Sequence, residues 1–69
     1  MAGLSIRNKL PASITHISEG ESMVSVSLDM HGATMTAAVT RSAAKDLGIT
    51  AGDDVIALIK ATDLSLATA

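Results

Sequence analysis

Residues 23–40, MVSVSLDMHGATMTAAVT, alternate apolar and polar side chains on both sides of a histidine and glycine pair. Val24, Val26, Leu28 and Met30 fall on one face of an extended chain, and Ser25, Ser27 and Asp29 on the other. Successive side chains of a strand point to opposite faces, so this period of two predicts a strand with one buried side. At His31–Ala33, Gly32 can supply the positive φ of a tight turn, after which Met35, Ala37 and Val39 alternate against Thr34, Thr36, Ala38 and Thr40. The two runs predict an antiparallel hairpin.

Outward from this hairpin the pattern changes. In TRSAAKDLGI, residues 40–49, Thr40 can act as N-cap and Gly48 as the left-handed residue that ends a helix of about two turns. Ala43, Ala44 and Leu47 would face inward. Thr50–Asp54 reads as a turn, and VIALIKA, residues 55–61, as a nearly continuous apolar strand buried on both faces or in a subunit interface. Upstream, Lys9–Ser18 reads as a first strand with Leu10, Ile14 and Ile17 apolar, made irregular by Pro11, whose missing N–H implies an edge or a bulge. Glu19–Ser22 is a glycine turn, and Leu64 and Leu66 in DLSLA suggest one more short strand. The expected fold is all-β: an OB-like small five-stranded β-barrel, with one short helix between the third and fourth strands and residues 1–69 forming a single domain.

Length sets the next constraint. A chain of 69 residues buries only about 60% of the surface that its unfolded form exposes, so its core is marginal. Domains of this size usually add disulfides, a metal or partner subunits. There is no cysteine, and two histidines, His16 and His31, are too few for a metal cage. With 48% hydrophobic residues the chain carries more apolar surface than one small core absorbs, which points to a multimer. No apolar run reaches the roughly 18 residues of a membrane span, and MAGLSIRNKLPAS lacks the long apolar segment of a secretory signal, so a cytoplasmic location is expected.

Function classes narrow in the same way. The chain has no aromatic residue and a net charge of −2, which removes both the stacking platforms and the broad basic surface of a nucleic-acid binder. No nucleophile constellation is present, so no catalytic residue is assigned and an enzyme is not expected. His31 beside Gly32 reads as a turn residue, His16 as a surface or interface residue, and Asp53 with Asp54 as turn residues before a strand.

The five cations, Arg7, Lys9, Arg41, Lys45 and Lys60, say more. Only Lys60 interrupts an apolar run. At a strand end it could simply extend its ammonium into solvent. Alternatively, an anion could compensate a charge that would be expensive to desolvate alone. The neighbours favour the anion: Lys60–Thr62 offers an ammonium, backbone N–H groups and a hydroxyl, while Ser5–Asn8 offers a guanidinium, a hydroxyl and an amide. That donor set suits a small oxyanion.

SIRNKLPASI near the start and AAVTRSAAKDLGITAGDDVIALIKAT in the second half, in this order and spacing, make the chain resemble the molbindins, the small Mop-type molybdate-binding proteins related to TOBE domains. The resemblance covers nearly the whole chain. It implies an OB-like fold assembled as a homohexamer, a trimer of dimers, which binds molybdate or tungstate non-covalently at subunit interfaces with donors from two chains. Carried over by residue, Ser5, Arg7 and Asn8 match the N-terminal anion-binding motif, Thr40 the central threonine, and Lys60, Ala61 and Thr62 the C-terminal segment. No side chain would ligate the metal directly.

Two departures stand out. Members of the family often continue the lysine motif as K-A-S-S, whereas this chain has KATD, so Asp63 adds a negative charge expected to face away from a dianion. A serine found three positions after the central threonine in related domains is Ala43 here, with Ser42 one residue earlier. The same domain type also occurs at the end of transporter ATPases, but with nothing attached for the anion to regulate, a free-standing storage or homeostasis protein is expected. VTRSAAKDLGITAGDDVIALI also resembles the helix, turn and strand of AbrB-type swapped-hairpin DNA-binding regulators. That alternative conflicts with five cations against seven carboxylates.

Overall fold

The computed structural model describes residues 6–69. The elements are β1 (Asn8–Glu19), β2 (Met23–Met30), β3 (Ala33–Thr40), α1 (Arg41–Leu47), β4 (Asp54–Ile59) and a single 3-10 turn at Ala61–Asp63. The four strands make one antiparallel sheet in the order β3-β2-β1-β4. The all-β class, the OB-like layout and the helix between the third and fourth strands are as expected. A fifth strand is not formed: beyond the 3-10 turn, Leu64–Ala69 is irregular and exposed, with Leu66 at 92% exposure. Two alternating leucines are too short a pattern to hold a strand, which usually runs about five or six residues, even though β3 and β4 have free edges.

The predicted hairpin is present, with Val24 opposite Val39 and Met30 opposite Ala33. His31 and Gly32 both take positive φ, 53° and 89°, the conformation that matches the strand twist in a two-residue hairpin loop. Val24, Val26 and Leu28 point inward and, with Ala12 and Ile14 of β1, form the buried core.

β1 carries the irregularity, though not at Pro11. Its register shifts between Ile14 and His16, where Thr15 bulges and its hydroxyl donates to the Ser27 carbonyl at 3.2 Å. One extra residue flips the parity of a strand. This is why Ile14 and Ile17, three apart, can face the same core, opposite Leu28 and Val26. Pro11 pairs with Ile56 in a half-strand, Asn8–Ala12, that has β4 on one side and no partner among the described residues on the other. The missing N–H therefore costs no ladder bond there, and the edge expectation holds.

Two inward expectations are corrected. Leu47 is 69% exposed, because α1 ends before a second full turn can bring it over the sheet. β4 is not buried on both faces: Val55, Ala57 and Ile59 are half-buried, while Ile56 and Leu58 face out. Apolar surface stays open accordingly. The chain exposes 5422 Å², where a compact monomer of 7.0 kDa exposes about 4,000 Å². Between the free edges of β3 and β4 lies an apolar gap of about 370 Å³, lined among others by Leu28, Met35, Val55 and Ile59.

α1 has the expected ends. Thr40 caps its N-terminus, and Gly48, at φ 64°, donates to the Ala44 and Lys45 carbonyls at 3.1 Å. Nothing crowds the Gly48 Cα, so the cost of a side chain there is conformational. Gly48→Ala is expected to destabilise the fold by about 1 kcal/mol, read as a lower denaturant midpoint with an unchanged slope.

Candidate functional site

The β1–β4 ladder decides which predicted residues meet. Its outermost pair is Asn8 with Ile59, and the Asn8 side-chain amide donates to the Ile59 carbonyl at 3.1 Å. Arg7 and Lys60 each lie one residue beyond this outermost pair, Arg7 before Asn8 and Lys60 after Ile59. Alternation puts Arg7 and Lys60 on the outward side with Ile56 and Leu58, while Asn8 shares the inward side with Ile59. Arg7 and Lys60 are both exposed.

After Lys60 the chain folds into the 3-10 turn, with the Asp63 N–H donating to the Lys60 carbonyl at 2.9 Å and the Leu64 N–H to the Ala61 carbonyl at 3.4 Å. The first N–H groups of such a turn, those of Ala61 and Thr62, have no carbonyl within the turn to bond. Arg7, Asn8, Lys60, Ala61 and Thr62 thus gather at one end of a two-stranded ribbon. Ser5 lies outside the described residues.

Lys9 joins them. It pairs with Leu58 and sits two residues from Arg7, hence on the same outward face. Three of the five cations therefore share one end and one face of the ribbon. The signal was present in the sequence as the i, i+2 spacing of Arg7 and Lys9, but it identifies a shared face only once this segment is known to be a strand. Like charges in such proximity repel, and an anion between them removes that cost.

Thr40 is placed elsewhere. It ends β3 opposite Met23, close to the Glu19 end of β1 and away from Asn8. Its hydroxyl oxygen accepts the Ala43 N–H at 3.1 Å, which leaves the O–H proton free to donate. Ala43 thus serves the cap through its backbone, and Ser42 is exposed on the first turn of α1. Arg41 lies beside it, its guanidinium 3.4 Å from the Gly20 carbonyl. One chain thus presents two separate donor groups, one at each end of the sheet.

Other clusters have different chemistry. A groove of about 540 Å³ on the outer face is lined by Ser13, Asp29, His31 and Asp54 and contains no Lys or Arg, the wrong sign for an anion. Asp53 is a turn residue as expected, its carboxylate accepting the Thr50 N–H at 2.9 Å, whereas Asp54 already belongs to β4, pairs with Ser13 and accepts the Ser13 hydroxyl at 3.1 Å. Among the described residues no three metal-ligating side chains converge.

The model of the TOBE domain matches residues 4–66. The chain belongs to the TOBE domain family. The molybdenum import ATP-binding protein ModC of Brucella abortus (strain 2308) is 43% identical over 65 residues, covering 93% of this chain, and ModC of Brucella suis biovar 1 matches to the same degree. The chain spans only 18% of the length of these curated relatives. Among solved structures, a molybdate binding protein from Sporomusa ovata superposes with a TM-score of 0.92 at 36% identity, covering 96% of this TOBE chain and 98% of that one. MopII from Clostridium pasteurianum has a TM-score of 0.88 at 24% identity, covering 96% and 100%, and supports the fold alone. The Sporomusa structure bears out the resemblance to the molbindins that the sequence motifs carry, and both solved structures bear out the OB-like class. The Sporomusa protein is named for binding rather than for a reaction, in line with a non-enzymatic domain.

The capping role of Thr40 can be tested by substitution. Thr40→Val removes the acceptor and should destabilise the fold by about 1 kcal/mol, whereas Thr40→Ser should stay close to the parent. Chemical denaturation of the three proteins measures both effects.

Proposed function

We propose that this chain binds molybdate, with tungstate as an equivalent ligand, through hydrogen bonds from Ser5, Arg7, Asn8, Lys60, Thr62 and the Ala61 backbone, and from Thr40 of a second copy. The observation that supports the proposal is the register that pairs Asn8 with Ile59, the neighbours in sequence of Arg7 and Lys60, with the 3-10 turn directly after Lys60. The names of the Sporomusa and Brucella relatives support molybdate as the ion.

A tetrahedral dianion has four oxygens, and each hydrogen bond from a charged group contributes about 1.5–3 kcal/mol. Several suffice for a dissociation constant on the order of micromolar after the cost of ordering the site. Charge cannot separate molybdate from sulfate, so selectivity rests on donor spacing suited to the larger ion. Molybdate and tungstate, nearly equal in size, are then hard to distinguish.

Assembly follows from the same geometry. Thr40 cannot reach the Arg7 and Lys60 end of its own chain, so a site that uses all the donors needs two chains. The exposed Ile56 and Leu58, the open apolar gap and the surface in excess of a compact monomer favour subunit contacts. We assign a homohexamer, a trimer of dimers, with residues 1–69 as one Mop-type domain per chain and molybdenum storage or homeostasis in the cytoplasm as its role. Among the described residues no helix is long and apolar enough to cross a membrane.

Isothermal calorimetry in buffer free of sulfate and phosphate should register molybdate binding, and an absence of heat overturns the proposal. Arg7→Ala and Lys60→Ala should each weaken binding by more than about tenfold. Native mass spectrometry should show the oligomer intact in both variants; unchanged affinity in both places the site elsewhere. The same spectra, with and without molybdate, should give six chains and a fixed number of ions.

A further inference from the structure

The cationic end of the ribbon contains one acidic residue. Across residues 6–10 and 57–63, the outer end of the ribbon and its turn, Asp63 is the only carboxylate among Arg7, Lys9 and Lys60, the ribbon's other carboxylate, Asp54, lying at its far end opposite Ser13. The turn holds it there: its backbone N–H bonds the Lys60 carbonyl at 2.9 Å, and residues i and i+3 of such a turn have Cα atoms less than about 7 Å apart. Asp63 is exposed, and the polar side chains that β1 and the residue before it contribute to this end are cations and an amide.

We propose that Asp63 is an affinity-limiting residue, whose carboxylate, held one turn from Lys60, opposes a bound dianion and sets the site for exchange rather than retention. This rests on the oxyanion site described above. The effect does not require the carboxylate to point at the ligand. At a separation of about 8 Å a monoanion and a dianion still repel appreciably in water, and at low ionic strength the Debye length is longer than that separation. The repulsion corresponds to a loss of affinity of about three- to tenfold at about 0.01 M salt, and to almost none at about 1 M, where screening acts within about 3 Å. A neutral residue at position 63 would leave the same donors with a tighter, slower-releasing site.

The probe is sodium molybdate, titrated calorimetrically into the full chain in sodium chloride at about 0.01 M and at about 1 M. Asp63→Asn keeps the shape and removes the charge, and Asp63→Ser serves as a second variant. Asp29→Asn makes the same change in net charge at a residue that pairs with Ser13, five positions along β1 from Asn8. The expected result is binding about three- to tenfold tighter in both position 63 variants at low salt, a gain that disappears at high salt, and no change for Asp29→Asn. Equal affinity of the wild-type chain and the position 63 variants overturns the role of Asp63 while leaving the site itself standing. Equal tightening by Asp29→Asn also overturns it, since net charge rather than placement would then be acting. If neither the wild-type chain nor any variant binds molybdate, the site reading fails and the role of Asp63 fails with it.

Discussion

β1 is the strand on which everything else is registered. Its first half pairs with β4, its second half with β2, and the two ladders overlap at Ser13. A single strand can serve two neighbours in this way only if its buried face stays buried across the handover. The bulge at Thr15 achieves that by shifting parity once, so that Ala12 and Ile14 before it and Ile17 after it all meet the core. Next to the bulge, Ile14 donates to the Asp53 carbonyl at 2.9 Å and accepts from the Gly52 N–H at 2.8 Å. These two bonds anchor the turn that starts β4, and the register of β4 in turn brings Ile59, the residue before Lys60, opposite Asn8, the residue after Arg7.

Local chemistry made the hairpin and the helix legible in the sequence. Val24 to Met30 alternate cleanly, His31 and Gly32 suit a turn of positive φ, and Thr40 and Gly48 mark the two ends of α1. What could not be read there depends on tertiary pairing. Pro11 looked like the cause of the irregularity in β1 because its missing N–H is visible in the sequence, whereas a bulge at Thr15 has no residue-type signature and follows from fitting two partners. Leu47 looked inward because a helical period puts it with Ala43 and Ala44, but a helix of seven residues has too little length to cover the sheet. Leu64 and Leu66 looked like a strand because they alternate, yet the segment pairs with neither free edge of the sheet.

The candidate site divides in the same manner. The donor types of Arg7, Asn8 and Lys60 were legible as chemistry, and the ladder brings them to one end. Lys9 falls outside the donor set because nothing in the motif requires it, and the face it shares with Arg7 becomes visible only with the strand assignment. Thr40 was grouped with the others by motif alone, and its position at the opposite end of the sheet is a matter of topology that spacing along the chain does not encode.

Separate half-sites and excess apolar surface have a common physical consequence. A marginal core leaves Ile56, Leu58, Leu64 and Leu66 in water, which favours contacts between chains. A ligand whose donors come from two chains binds the assembled state and not the isolated chain, so mass action makes the ion stabilise the assembly and the assembly raise affinity for the ion. In the proposed assembly, cations gathered at an interface would oppose association when the site is empty, through repulsion among Arg7, Lys9 and Lys60, and a bound dianion would reverse the sign of this term. Asp63 would moderate it in both states, lowering the repulsion in the empty site and the attraction in the filled one. A carboxylate beside an anion site would therefore narrow the energetic gap between empty and loaded assemblies.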